Sequence, residues 1–131
     1  MGLGIALEPT NIAVALLGAI LGTAVGVLPG LGPSATVSLL LPITMVLDQT
    51  SAIILLAGIY YGSQYGGSIT SVLMRVPGEA SSVMTCFDGY PMAKQGRAGA
   101  ALGISAFGSF IAGISATLPI SRLARMQEPL W

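Results

Sequence analysis

The sequence predicts an all-α membrane protein, a polytopic helix bundle with about three spanning helices and broken or re-entrant segments at 29–48 and 64–70. Three observations carry that prediction. Of the 131 residues, 53% are hydrophobic and 8% charged, and the mean hydropathy is +0.85; a soluble domain carries roughly 25% charged residues. The charges also leave three long uncharged stretches, 9–47, 49–74 and 98–121, each long enough for the ~20 residues that cross a bilayer. Finally, Gly and Pro fall inside those stretches at positions that either pack helices or break them.

Composition excludes several function classes. Five basic and five acidic residues cancel, which leaves no basic face for nucleic acid. Histidine is absent and cysteine occurs once, at Cys86. The chain therefore has no Ser-His-Asp triad, no His-zinc site and no intrachain disulfide framework. An intramembrane enzyme would need a Ser-Lys or paired-Asp site, and Lys94, Asp48 and Asp88 are not spaced for one. The expectation is a non-enzyme without a cofactor.

The first uncharged stretch is broken by Leu28-Pro29-Gly30-Leu31-Gly32-Pro33, which predicts helix 1 over about Asn11–Leu28. The remainder, 34–47, is short for a span and carries its own Pro42, so a half-helix or re-entrant segment is expected. Helix 2 is expected over about Ser51–Leu73 and helix 3 over about Ala98–Ile120. Between them 75–97 reads as the main polar loop, with five of the ten charges. Three of those are basic, which favours a cytoplasmic position for the loop. The whole of 1–131 reads as a single transmembrane domain with an atypical tail at 121–131. Met1-Gly2-Leu3-Gly4 lacks the basic start of a conventional signal peptide.

Gly18, Gly22, Gly26 and Gly30 recur every four residues, as do Gly58, Gly62 and Gly66. Four-residue spacing keeps small residues on one face, where helix backbones can approach closely. Tyr60-Tyr61-Gly62-Ser63-Gln64-Tyr65-Gly66-Gly67-Ser68 places adjacent glycines beside amide and hydroxyl groups, a composition that favours a second break near 64–70. At the first break, Pro33 and Ser34 suit a helix start, and the exposed N–H groups of a helix start attract carboxylates. Broken helices near the bilayer midplane recur in secondary transporters. Asp48, Glu79 and Asp88 each sit beside turn-forming residues and read first as loop or cap residues.

Four segments carry a family resemblance: Gly26-Val27-Leu28-Pro29-Gly30-Leu31-Gly32-Pro33, Leu56 through Ser68, Pro77-Gly78-Glu79-Ala80-Ser81-Ser82, and Asp88 through Gly99. In that order they resemble the large membrane subunit, the TctA family, of the tripartite tricarboxylate transporters. The resemblance runs from about Leu16 to about Gly113. It implies an inner-membrane, multi-pass permease that works with a small membrane subunit and a periplasmic solute-binding protein. Such a permease takes up a tricarboxylate or related carboxylate on an ion gradient, with Na+ or H+ as the coupling ion. On this reading Gly30, Gly32, Pro33 and Ser34 form one half of a substrate cradle, and Gln64, Gly66, Gly67, Ser68 and Thr70 the facing half. Members of the family are several times longer, so the chain reads as an N-terminal fragment, inactive without the remainder of the permease. The alternative is a small helical membrane protein that acts as an assembly or regulatory partner through its glycine faces.

Overall fold

The computed structural model describes residues 2–127. Six α-helices follow one another: α1 (Gly2–Ala6), α2 (Pro9–Gly26), α3 (Pro33–Thr44), α4 (Gln49–Met74), α5 (Val83–Lys94) and α6 (Ala98–Gln127), with a 3-10 turn at Ala80–Ser82 leading into α5. Among the described residues there is no strand, and the protein is an all-α membrane bundle. Two helices, α2 and α6, are long and apolar enough to cross a membrane. Helix α4 spans 26 residues, about 39 Å at 1.5 Å per residue, yet is too polar on average to join them. By length and composition alone, two of the expected three spans qualify.

The polarity of α4 follows from its position. It packs against α2, α3, α5 and α6, and the large fully buried apolar side chains, Ile59 and Val72, both belong to it. Its hydroxyl groups are buried as well: Ser51, Ser63, Thr70 and Ser71. Where no water penetrates, such groups must find partners inside the protein. Most find them in their own helix. Ser63 donates to Tyr60 O (2.8 Å), while Thr70 and Ser71 both donate to Gly67 O (2.9 and 2.8 Å).

Helices α2 and α4 lock through their glycines. A Cβ added at Gly18 would lie 2.6 Å from Leu55 O, and one at Gly26 would lie 2.5 Å from Ser63 O. Across the seam, a Cβ at Gly58 would meet Ala15 O at 2.7 Å and one at Gly66 would meet Thr23 O at 2.7 Å. At Gly22 and Gly62 the added atom would fall still closer, onto the carbonyls of Ile59 and Ala19. Partner numbers rise together along both helices, so α2 and α4 run parallel and in register. Asn11 and Ser51 fix the lower end: Ser51 Oγ donates to Asn11 Oδ1 at 3.1 Å, and Asn11 Nδ2 donates to Ile5 O at 2.6 Å.

That register corrects the expected re-entrant reading of 29–48. The break itself is present, with Gly30 at φ 85° and α3 starting at Pro33 on an extended Gly32. However, α3 leaves from the C-terminal end of α2 and delivers the chain to the first turn of α4, level with Asn11. It runs back along the full height of the α2–α4 pair instead of returning to the end it started from.

The expected break at 64–70 is absent. Helix α4 is continuous from Gln49 to Met74, because Gly66 is pressed on α2 and the neighbouring hydroxyls are satisfied by helix carbonyls. The glycines there serve close approach. The real irregularity comes one turn later. Arg75 adopts φ 57°, an unusual conformation for a residue with a Cβ, and the chain doubles back until Gly78 meets Gly67. A Cβ at Gly78 would lie 2.5 Å from Gly67 Cα. Gly67 lies seven residues before Met74, about 10 Å short of the end of α4.

The stretch 75–97, expected as a polar loop, therefore holds the 3-10 turn and the 12-residue α5. A capping box starts it. Glu79 N donates to Ser82 Oγ at 3.2 Å, Ser82 N–H returns to the Glu79 carboxylate, and Ser81 Oγ donates to Glu79 Oε1 at 2.6 Å. Reciprocal pairing of this kind satisfies two otherwise orphaned donors. Gly89 of α5 packs on Val72, after which Gly96 (φ 78°) turns the chain into α6. Of the tail at 121–131, Ser121 to Gln127 extend α6, and Glu128 to Trp131 lie outside the described residues.

Candidate functional site

Helix α6 runs antiparallel to α4 but does not close against it. Between them lies an open cleft of about 1010 Å³. From α4 it is lined by Tyr60, Tyr61, Gln64, Tyr65 and Ser68; from the turn and first residues of α5 by Ser81, Ser82 and Thr85; and from α6 by Ser105, Ser109, Thr117 and apolar neighbours such as Phe110 and Ile114. No Asp, Glu, Lys or Arg lines it. The cleft thus presents neutral donors and acceptors on an apolar background.

The local geometry of α4 explains the allocation. At about 100° per residue, Leu55, Ile59, Gly62 and Gly66 fall on one face and meet α2, whereas Tyr61, Gln64, Tyr65 and Ser68 fall on roughly the opposite face. Within the cleft, Gln64 Nε2 donates to Tyr60 Oη at 3.2 Å and Ser68 Oγ donates to Gln64 O at 3.3 Å. Tyr60 and Tyr61 stand edge to face, with centroids 5.9 Å apart and planes at 85°. On α6, Thr117 Oγ1 donates to Gly113 O at 2.7 Å. Such side chains can turn their hydroxyls toward an acid in place of a backbone carbonyl.

Of the residues assigned to a cradle from sequence, the structure brings only Gln64 and Ser68 to this cleft. Gly66 is spent on α2. Gly67 faces Gly78, and Thr70 is buried with its hydroxyl on Gly67 O. Gly30 and Ser34 are exposed, Gly32 is half-buried and Pro33 is buried at the start of α3; none of the four lines the cleft. The two expected halves do not face one hollow, because α4 passes unbroken between the α2–α3 turn and the cleft.

Sequence reasoning missed the contribution of α6. Its signal was legible: Ser105, Ser109, Gly113 and Thr117 recur every four residues in an otherwise apolar helix. It also left Ser81, Ser82 and Thr85 unassigned, since their approach to α4 depends on the Gly67–Gly78 contact. The three carboxylates lie outside the cleft. Asp48 caps α4 by accepting from Ser51 N at 3.2 Å. Hydrogen bonding from Ser51, by side chain and then backbone, holds its carboxyl below the ordinary range. Glu79 is engaged in its capping box, and Asp88 lines a smaller groove with Met84, Met92 and Ile104. Among the described residues no group of three His, Cys, Asp or Glu could hold a metal ion.

An open, largely apolar cleft dotted with hydroxyl and amide groups thus lies against the inner helix of an apolar bundle. The chain belongs to the tripartite tricarboxylate transporter TctA family, whose family model matches residues 12–128. It is also 55% identical over 118 residues to an Agrobacterium vitis protein described as an uncharacterised 52.8 kDa protein in the TAR-I ttuC' 3' region. That match covers 90% of this chain and 24% of the relative, so the chain spans about a quarter of the length of the protein it matches. No solved structure matches it.

Proposed function

We propose that this chain forms the N-terminal part of a permease for tricarboxylate or related carboxylate substrates, and that the α4–α6 cleft is where it contacts the acid. The observation that carries this reading is the lining: hydroxyl, phenol and amide groups from three helices converge on one cavity in a chain of a tricarboxylate transporter family. Gln64 and Ser68 supply donors from α4, Ser105 and Ser109 from α6, and Thr85 from the start of α5. Neutral donors hold a carboxylate with little selectivity among acids, which suits delivery by a periplasmic solute-binding protein that selects the substrate first.

A small membrane subunit and the rest of the permease complete the machine in the inner membrane, and a Na+ or H+ gradient drives uptake. Alternating access in such folds uses two repeats moving against each other, so the chain alone does not transport. At the start of α3, Gly30 and Ser34 are exposed and available to that remainder.

Uptake of radiolabelled citrate by cells carrying the complete transporter tests the reading. The double substitution Gln64→Leu and Ser68→Ala leaves insertion intact and lowers uptake at subsaturating citrate by about tenfold or more, the loss of roughly one to two hydrogen bonds to a charged group. Wild-type uptake by that variant removes the cleft from the substrate path.

A further inference from the structure

One end of the bundle collects three basic side chains. Helix α4 closes on Arg75, α5 carries Lys94 in its last turn, and Arg97 immediately precedes α6. All three are exposed. The Arg75 guanidinium carbon lies 5.8 Å and Lys94 Nζ 5.3 Å from the centre of the same ring, that of Tyr90. We propose that this end is a docking surface for the anionic headgroups of membrane phospholipid, with Tyr90 gathering the two cations and Arg97 extending the patch.

Attraction to a ring face draws each cation in, but two cations at one ring also repel each other, and an anion between them relieves that repulsion. Among the described residues neither cation is paired with a carboxylate. Of the two acids in this stretch, Glu79 is engaged in its capping box and Asp88 lines the groove between α5 and α6 with Met84 and Ile104. Helix ends offset only part of the charge. The C-termini of α4 and α5 contribute about half a negative charge each and the N-terminus of α6 about half a positive one, so the three cations with their helix ends carry roughly +2.5 before the carboxylates of Glu79 and Asp88 are counted.

The opposite end differs. There two acids, Glu8 and Asp48 at the starts of α2 and α4, stand at the same end as Arg122 and Arg125 of α6. Because α6 is a spanning helix that begins at Ala98, Arg97 sits at the edge of the hydrocarbon, the depth of lipid phosphates, where each basic residue strengthens attraction to anionic lipid. A phospholipid meets both the charge and the depth; a free phosphate meets only the charge.

Native mass spectrometry of the full chain released from detergent, offered equal phosphatidylglycerol and phosphatidylcholine, tests this. Wild type is expected to retain phosphatidylglycerol over phosphatidylcholine by about tenfold. The variant R75Q/K94Q/R97Q should bind both alike, while R75K/K94R/R97K should keep the preference, which separates charge from loss of structure. Millimolar glycerol phosphate should fail to displace the lipid. Equal binding of the two lipids by wild type, an undiminished preference in the neutral variant, or displacement by glycerol phosphate would each overturn the proposal.

Discussion

Helices α4 and α6 are the two longest in the molecule and make opposite use of their surfaces. In α4, ten residues are buried, and they are mostly small or hydroxylated. In α6, Ala101 is buried and nearly everything else is open, including Ile104, Phe107, Phe110, Ile111 and Leu118, each more than 60% exposed. Where the surroundings are as apolar as a side chain, burial of apolar surface no longer draws helices together, and close backbone contact does so instead. The polar helix is therefore the inner one, and the greasy helix is the outer one.

The largest expected effect lies at the α2–α4 seam. Gly22→Leu and Gly62→Leu would drive a side chain into a carbonyl of the facing helix. Each is expected to cost about 3 kcal/mol or more, at or beyond the upper range for overpacking. Unfolding in detergent followed by circular dichroism would show it, and a wild-type midpoint would refute the packing. The contact between Gly67 and Gly78 sharpens the point, because it is one-sided. A Cβ at Gly78 would sit 2.5 Å from backbone, but one at Gly67 would find its nearest neighbour, Gly78 Cα, at 3.4 Å. Gly78→Ala should thus cost about 1–3 kcal/mol and open 75–82 to protease, whereas Gly67→Ala should be close to neutral in both assays.

Smaller effects follow at the margins. The Asp48 carboxyl is held low in the folded chain, so its contribution is present above the ordinary carboxylate pKa of about 3.9 and is lost as pH falls through its lower folded value. Acid unfolding curves of wild type and Asp48→Asn should coincide at the acid extreme and separate as pH rises past 4. Curves parallel at every pH would count against the cap. Least of all, Gly108→Ala in α6 meets open space and should stabilise the helix by no more than about 1 kcal/mol; a large loss would mean that α6 packs more tightly than described.

Much of this was legible in the sequence. The three uncharged stretches gave α2, α4 and α6 nearly in full, the four-residue glycine repeats gave the packing seam, and Pro33 gave the start of α3. Misreading entered at Gly66-Gly67, where one composition fits two structures. Glycine beside hydroxyl side chains can free a backbone or let one approach, and only the partner decides. That partner, Gly26 in one case and Gly78 in the other, is distant in sequence. The direction of α3 was hidden for the same reason, since it follows from the register of α2 against α4. The site was half visible: Gln64 and Ser68 stood out as polar groups in an apolar span, while Ser105, Ser109 and Thr117 are each unremarkable until α6 is laid alongside α4.

The interlocked glycines also limit which parts can travel. Slipping α2 past α4 by a single residue would carry a methyl or larger group into a carbonyl, and slipping it by four would carry Val14 into the place of Gly18, so the pair is held in one register. It behaves as a keyed shaft. Of the helices that line the cleft, α6 is held by no such interlock, since a Cβ at Gly99, Gly103, Gly108 or Gly113 would meet open space.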